Sequence, residues 1–161
     1  MEVKRELETT RLLTLTGAGG SGKTRLALEV ARDLVDTYSD GVRLVELAPL
    51  SEEELVPKAV AEALEVAERP GEPLAETLTE VLGTRELLQV VDNCEHLLDA
   101  TARLADSLLD SCPHVRILAT SREALGVEGE VRWPVPRSAH PNRNVRSRSK
   151  SWRGLSPPAC F

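Results

Sequence analysis

The feature that most limits how this chain can fold is the run Gly17-Ala18-Gly19-Gly20-Ser21-Gly22-Lys23-Thr24, half of it glycine. Before it lies Leu12 to Thr16 (LLTLT), a short apolar, threonine-containing stretch that reads as a buried strand. After it, Leu26, Ala27, Val30, Ala31 and Leu34 recur at helical spacing, with Arg25, Glu29, Arg32 and Asp33 on the other face. A strand that turns through glycines directly into an amphipathic helix commits the chain to an α/β design.

The remaining sequence keeps that alternation. Val42 to Leu47 follows the turn Ser39-Asp40-Gly41 and reads as a second strand stopped by Pro49. Ser51 with Glu54 suggests a capping box, and Pro57 suits the first turn of a helix running through Leu64. Beyond the Arg69 to Pro73 loop, the pattern predicts a helix over Leu74 to Leu82, a strand over Leu87 to Val91 and a helix over His96 to Leu109. Val115 to Thr120 (VRILAT) and Glu130 to Val135 read as further strands, and strands alternating with helices imply a parallel sheet.

The glycine run matches GxxxxGK[ST] in the strand-to-helix context which that motif requires. Glycines let successive backbone N–H groups converge on phosphate oxygens, aided by the positive end of the helix that follows. Residues Gly17, Ala18, Gly19, Gly20, Ser21, Gly22, Lys23, Thr24 and Arg25 are therefore the candidate nucleotide-binding set, for ATP or ADP. Lys23 would reach the β- and γ-phosphates, and Thr24 would ligate Mg²⁺.

Val90-Val91-Asp92 ends an apolar strand with a carboxylate, which would place Asp92 beside the same Mg²⁺; a simple strand-end turn is the alternative. Glu95 is a candidate general base for the attacking water, or else a first-turn helix carboxylate favoured by the dipole. Arg122, after the VRILAT strand, falls at the carboxyl edge of the sheet, where open α/β folds bind ligands. It is a candidate γ-phosphate sensor or a solvated loop arginine. Cys94-Glu95-His96 and Cys112-Pro113-His114 invite a zinc reading, but the intervening helix holds the pairs roughly 20 Å or more apart, and neither pair suffices alone.

Charge narrows the partners. Residues 1 to 136 carry 14 basic and 26 acidic residues, a net −12, whereas Arg137, Arg143, Arg146, Arg148, Lys150 and Arg153 follow with no acid among them. So acidic a body repels a phosphate backbone, which argues against direct DNA binding by the folded part. No window approaches the ~18 apolar residues of a membrane span, and three cysteines without CxxC spacing fit reduced thiols, so the reading is cytoplasmic. The tail from Arg137 has almost no aliphatic residues and reads as disordered. Its abrupt change of composition suggests a frameshift or truncation within a longer regulator.

Three segments in order, TLTGAGGSGKTRLALEVA, VVDNCEHLLD and ILATSREALGVEGE, resemble the NB-ARC-like ATPase module of bacterial STAND proteins, found in large LuxR-type and SARP-type transcriptional regulators. The likeness covers about Leu12 to Pro136. It implies Lys23 and Thr24 as phosphate and Mg²⁺ contacts, Asp92 as the Walker B carboxylate and Arg122 as the sensor arginine. Two parts of the family's pattern, an upstream V-G-R-E type segment and a downstream helical and winged-helix region with a GxP motif, have no counterpart in these 161 residues.

The expected architecture is a lead-in at residues 1–11, a three-layer α/β P-loop NTPase domain at 12–136 and a basic tail at 137–161. The resemblance implies the additional-strand (ASCE) class, a parallel sheet of about five strands in which Val115 to Thr120 lies between the P-loop strand and the Walker B strand. The expected function is an ATP/ADP switch within a signal-transducing regulator, acting on protein partners or on further domains, with slow ATP hydrolysis at most. An autonomous NTPase or kinase, and a non-binding interaction module, are the rivals.

Overall fold

The computed structural model describes residues 2–137; the expectations for the basic tail beyond them, and Cys160, lie outside the described residues. Five strands, β1 (Leu12–Thr16), β2 (Val42–Glu46), β3 (Leu87–Asp92), β4 (Val115–Ser121) and β5 (Glu130–Pro134), form one sheet in the order β2-β3-β4-β1-β5. Every pairing is parallel. The VRILAT strand, β4, thus lies between β1 and β3 as expected.

Both faces of the sheet are covered, which is why its central strands read as continuous apolar runs. Leu12, Leu87, Val91, Val115, Ile117 and Ala119 face helices α3 (Leu55–Leu64), α4 (Leu74–Leu82) and α5 (Leu98–Ser111). The alternate residues Leu13, Leu15, Leu88, Val90 and Leu118 face α1 (Glu2–Thr9) and α2 (Lys23–Leu34). Connections that run toward β5 pass over the α3–α5 face, and the one that runs the other way, from β1 to β2, passes through α2 on the opposite face. A single crossover handedness requires that exchange of faces.

The charged lead-in supplies a helix of its own. Val3 and Leu7 of α1 are buried against α2 and β1, and Lys4 reaches Asp33 of α2 at 3.0 Å. The Arg116 guanidinium of β4 donates to the Leu7 and Thr10 carbonyls, which meets the need of the α1 C-terminus for donors. The helix pattern had not marked α1, because only two of its eight residues enter the core.

Other boundaries differ for local reasons. The capping box expected at Ser51 and Glu54 does not form: α3 starts at Leu55 with no side-chain cap. Backbone turns, Leu55 N to Glu52 O and Val56 N to Glu53 O, already satisfy its first N–H groups. The helix expected from His96 begins instead at Leu98, behind a 3₁₀ turn over Cys94–His96. Strand β5 stops at Pro134, a residue tolerated there because β5 is an edge strand.

The β4–β5 connection carries no helix and is pinned by one carboxylate. Glu130 accepts from Thr14 Oγ1 at 2.6 Å, from Leu125 N at 2.8 Å and from Gly126 N at 3.0 Å. Thr14 is fully buried in β1, so its hydroxyl has no water to fall back on. Glu130→Ala is therefore expected to lower the unfolding free energy by about 2 kcal/mol, the cost of stranding a buried donor with its neighbours. Urea denaturation measures this as a lower midpoint at unchanged slope; an unchanged midpoint would show that the three bonds carry no net stability.

Candidate functional site

Parallel strands bring their carboxyl ends to one edge, and the sequence places a candidate element at three of them: the glycine loop after β1, Asp92 at the end of β3 and Thr120 to Arg122 at the end of β4. The loop conformation depends on glycine at two points. Gly22 precedes α2 with φ 88°, in the left-handed region, and a Cβ on Gly17 would meet the Val135 carbonyl oxygen at 2.7 Å.

No side chain caps α2. Its first intrahelical bond is Leu26 N to Gly22 O, so the N–H groups of Lys23, Thr24 and Arg25 have no intrahelical acceptor and form a positive terminus at the loop. Lys23 is only 8% exposed, a state lysine tolerates only when paired. Its Nζ donates to Gly17 O at 2.8 Å and Ala18 O at 2.9 Å, which uses two of its three donors. Ser21 Oγ, also inside the loop, is buried with no hydrogen-bond partner.

Thr24 Oγ1 donates to Asp92 Oδ1 at 2.8 Å, joining the first turn of α2 to the end of β3. The Thr120 hydroxyl donates to the same carboxylate oxygen and accepts from the Asn93 N–H at 2.9 Å. Asn93, with φ 67°, turns the chain out of the strand, and its side-chain amide, with the nitrogen assigned to the Glu95 side, would donate to that carboxylate at 2.7 Å. Glu95 sits in the 3₁₀ turn, ahead of α5, whose own first-turn acid is Asp99.

Arg122 lies against the loop: its guanidinium nitrogen is 3.0 Å from the point where a Gly19 Cβ would stand, and it pairs with Glu95 at 3.9 Å. Arg25 behaves differently. Its side chain is exposed and pairs with Glu29 one turn along α2, so only its backbone N–H belongs to the cluster. The structure thus gathers Lys23, Thr24, Asp92, Glu95 and Arg122 around the loop and leaves the Arg25 side chain outside. Thr120 and Asn93 had no role in the sequence reading, although ILATSR and VVDNCEH contain them.

These residues fit a phosphate group with a hard divalent cation. A free helix N-terminus, a lysine folded into the loop, an orphaned Ser21 hydroxyl and a threonine–carboxylate pair are the donor set such a ligand uses, and Mg²⁺ commonly takes one or two carboxylates plus phosphate oxygens. No group of three or more His, Cys, Asp or Glu among the described residues could hold a metal. His96 Nε2 instead contacts Leu50 O at 2.9 Å. Cys94 is buried with its thiol facing Val91 O, and burial together with the nearby Asp92 and Glu95 charges pushes that thiol well above the ordinary range. Cys112, bonded to Thr79 O, is likewise raised by burial. Both are free, buried thiols.

Comparison with known proteins places this geometry. Residues 5–127 match the family model described as an AAA domain. A protein of Mycobacterium tuberculosis, provisionally named an HTH-type transcriptional regulator, is 46% identical over 130 residues, 81% of this chain and 14% of that protein. The chain therefore spans about one seventh of the curated relatives it matches first. Among solved structures, Drosophila ORC bound to DNA aligns with a TM-score of 0.59 at 17% identity, over 78% of this chain and 37% of that one. The signal transduction ATPase with numerous domains (STAND) from Pyrococcus horikoshii, which has a tetratricopeptide repeat sensor, aligns at 0.53 and 16%, over 82% and 22%. At such identities the structural likeness speaks for the fold. The match over residues 5–127, the five-stranded parallel sheet and the glycine loop at its edge together make this chain a member of the AAA domain family, an α/β P-loop NTPase fold.

Proposed function

We propose that the chain binds ATP and ADP with Mg²⁺ and acts as a nucleotide switch within a longer HTH-type transcriptional regulator of the NB-ARC-like STAND kind. The observation that carries this reading is the Thr24–Asp92 hydrogen bond, which unites the loop's helix with the β3 carboxylate across the inserted strand β4. The 46% identity to a regulator of which the aligned segment is 14%, and the fold shared with a STAND ATPase, support the setting.

In this reading the N–H groups from Gly17 to Arg25 and the Lys23 ammonium bind the phosphates, while Thr24 and Asp92 hold Mg²⁺. Bound Mg²⁺ supplies positive charge that neutralises the phosphate oxygens. Glu95, which pairs with Arg122 at 3.9 Å, is the candidate base for water. In this reading hydrolysis is slow at most, and the γ-phosphate serves to bias a conformational equilibrium.

The acidic body leaves DNA contact to other parts of the regulator, and its output passes to protein partners or neighbouring domains. No helix among the described residues is long and apolar enough to cross a membrane, in keeping with a cytoplasmic regulator.

A thermal shift with Mg·ATP tests the reading directly: ligand at about 100-fold its Kd stabilises by about 2.7 kcal/mol, and no shift at millimolar nucleotide would refute it. Lys23→Ala is expected to remove that shift, since the loop loses its only fixed ammonium. Arg122→Ala separates a switch from a mere nucleotide holder. Arg122 can meet the γ-phosphate with a charge-assisted hydrogen bond of about 1.5 to 3 kcal/mol, so its loss should weaken ATP about tenfold to a hundredfold and leave ADP within about threefold. Equal losses in titrations of both nucleotides would remove the sensor role.

A further inference from the structure

We propose that Thr120 is the positioning residue for Asp92, fixing which carboxylate oxygen the cation meets. The proposal rests on the reading of Thr24 and Asp92 as the Mg²⁺ pair. It begins with register. The last paired residues of β3 and β4 are Val91 and Ala119, both facing the α3–α5 layer. One step further, Asp92 and Thr120 stand side by side on the opposite face, the one covered by α2, whose first turn carries Thr24. Because β4 is inserted between β3 and β1, Asp92 must span the width of that strand to meet Thr24. Thr120 lies in the span.

The direction of each proton follows from chemistry. A backbone N–H can only donate, so the Asn93 N–H at 2.9 Å occupies a lone pair of Thr120 Oγ1. The single Thr120 proton is then committed to Asp92 Oδ1, an oxygen that also receives Thr24 Oγ1. Among the described residues no donor engages Oδ2. Two hydroxyls on one oxygen hold the carboxylate plane and present Oδ2 as the free face toward a cation or its water. Thr120 is 1% exposed, so no solvent molecule can replace its hydroxyl without repacking. Partners that orient a metal ligand in this way are commonly worth tenfold to a hundredfold in metal affinity.

The test compares Thr120→Val, which keeps the shape and removes the hydroxyl, with Thr120→Ser, which keeps the hydroxyl. ATP affinity is titrated for each with Mg²⁺ and with EDTA. Valine should raise the Kd for Mg·ATP by about tenfold or more while leaving metal-free ATP within about twofold, and serine should restore Mg²⁺ dependence to within about threefold of wild type. Thr120→Ala, smaller and free of any clash, carries the same expectation if valine does not fold. Equal losses with and without Mg²⁺, or a loss that serine does not restore, would show a packing role and overturn the proposal. A wild type that needs Mg²⁺ beside a valine variant that needs it equally would overturn the proposal alone. A wild type indifferent to Mg²⁺ would overturn the metal reading of Thr24 and Asp92, and the proposal with it.

Discussion

Almost every residue of β1, β3 and β4 faces a buried layer, so these strands cannot slide past one another. A shift of β1 by one residue would exchange Leu12 with Leu13 and carry the Thr14 hydroxyl from the Glu130 side into the apolar packing beneath α2. Burying an unpaired hydroxyl costs on the order of 1–3 kcal/mol, a large part of the stability of a domain this size. The locked register has a remote consequence: it aligns Gly17, Asp92 and Thr120 at one edge. Packing of leucines and valines thus sets the distance between a loop of glycines and a carboxylate more than 70 residues away.

The parts of the fold that were legible in the sequence are those whose neighbours are local or whose burial is complete. LLTLT, LLQVV and VRILAT are apolar on both faces, and the glycine loop between a strand and an amphipathic helix has few alternative folds. The positions of Asp92 and Arg122 at the sheet edge were legible because Asp92 ends such a strand and Arg122 directly follows one. Illegible features depend on distant partners. Helix α1 owes its place to α2, β1 and the Arg116 guanidinium, none of which its eight residues announce. Glu130 matters through Thr14, 116 positions earlier, and a glutamate at a strand start carries no mark of that. Thr120 was hidden differently: a threonine in a strand is the expected β-branched residue, and only the observed pairing with Asp92 and Asn93 separates a polar role from a packing one.

Local geometry also overruled two pattern signals. Ser51 and Glu54 have the spacing of a capping box, yet backbone turns at Glu52 and Glu53 met the same N–H groups first, so the side chains were not needed. Arg25 follows the phosphate-loop signature, yet helical geometry turns its side chain to Glu29 on the solvent face. In both cases a spacing rule describes which contacts are within reach, and the competing partners decide which are made.

A last physical question is how a body with a net charge of −12 can hold a polyanion. At physiological ionic strength charges are screened beyond about 8 Å, so most of the acidic surface is too distant to matter and the nearest groups decide. Those are the α2 N-terminus, the nearly buried Lys23 and Arg122, with Asp92 and Glu95 as the opposing charges. Asp92 is the carboxylate a cation would neutralise. Glu95 already faces Arg122 across 3.9 Å, at the outer limit of an ion pair, with the arginine 67% exposed. Pairs of that kind are worth about 0–1 kcal/mol, less than the charge-assisted bond that a phosphate oxygen would offer the same guanidinium, about 1.5 to 3 kcal/mol. Arg122 is therefore held weakly enough to be drawn away, and its departure would free Glu95 at the same moment. If the proposed nucleotide binds, this balance of local charges would let Arg122 exchange Glu95 for the third phosphate, even on a protein whose surface as a whole repels it.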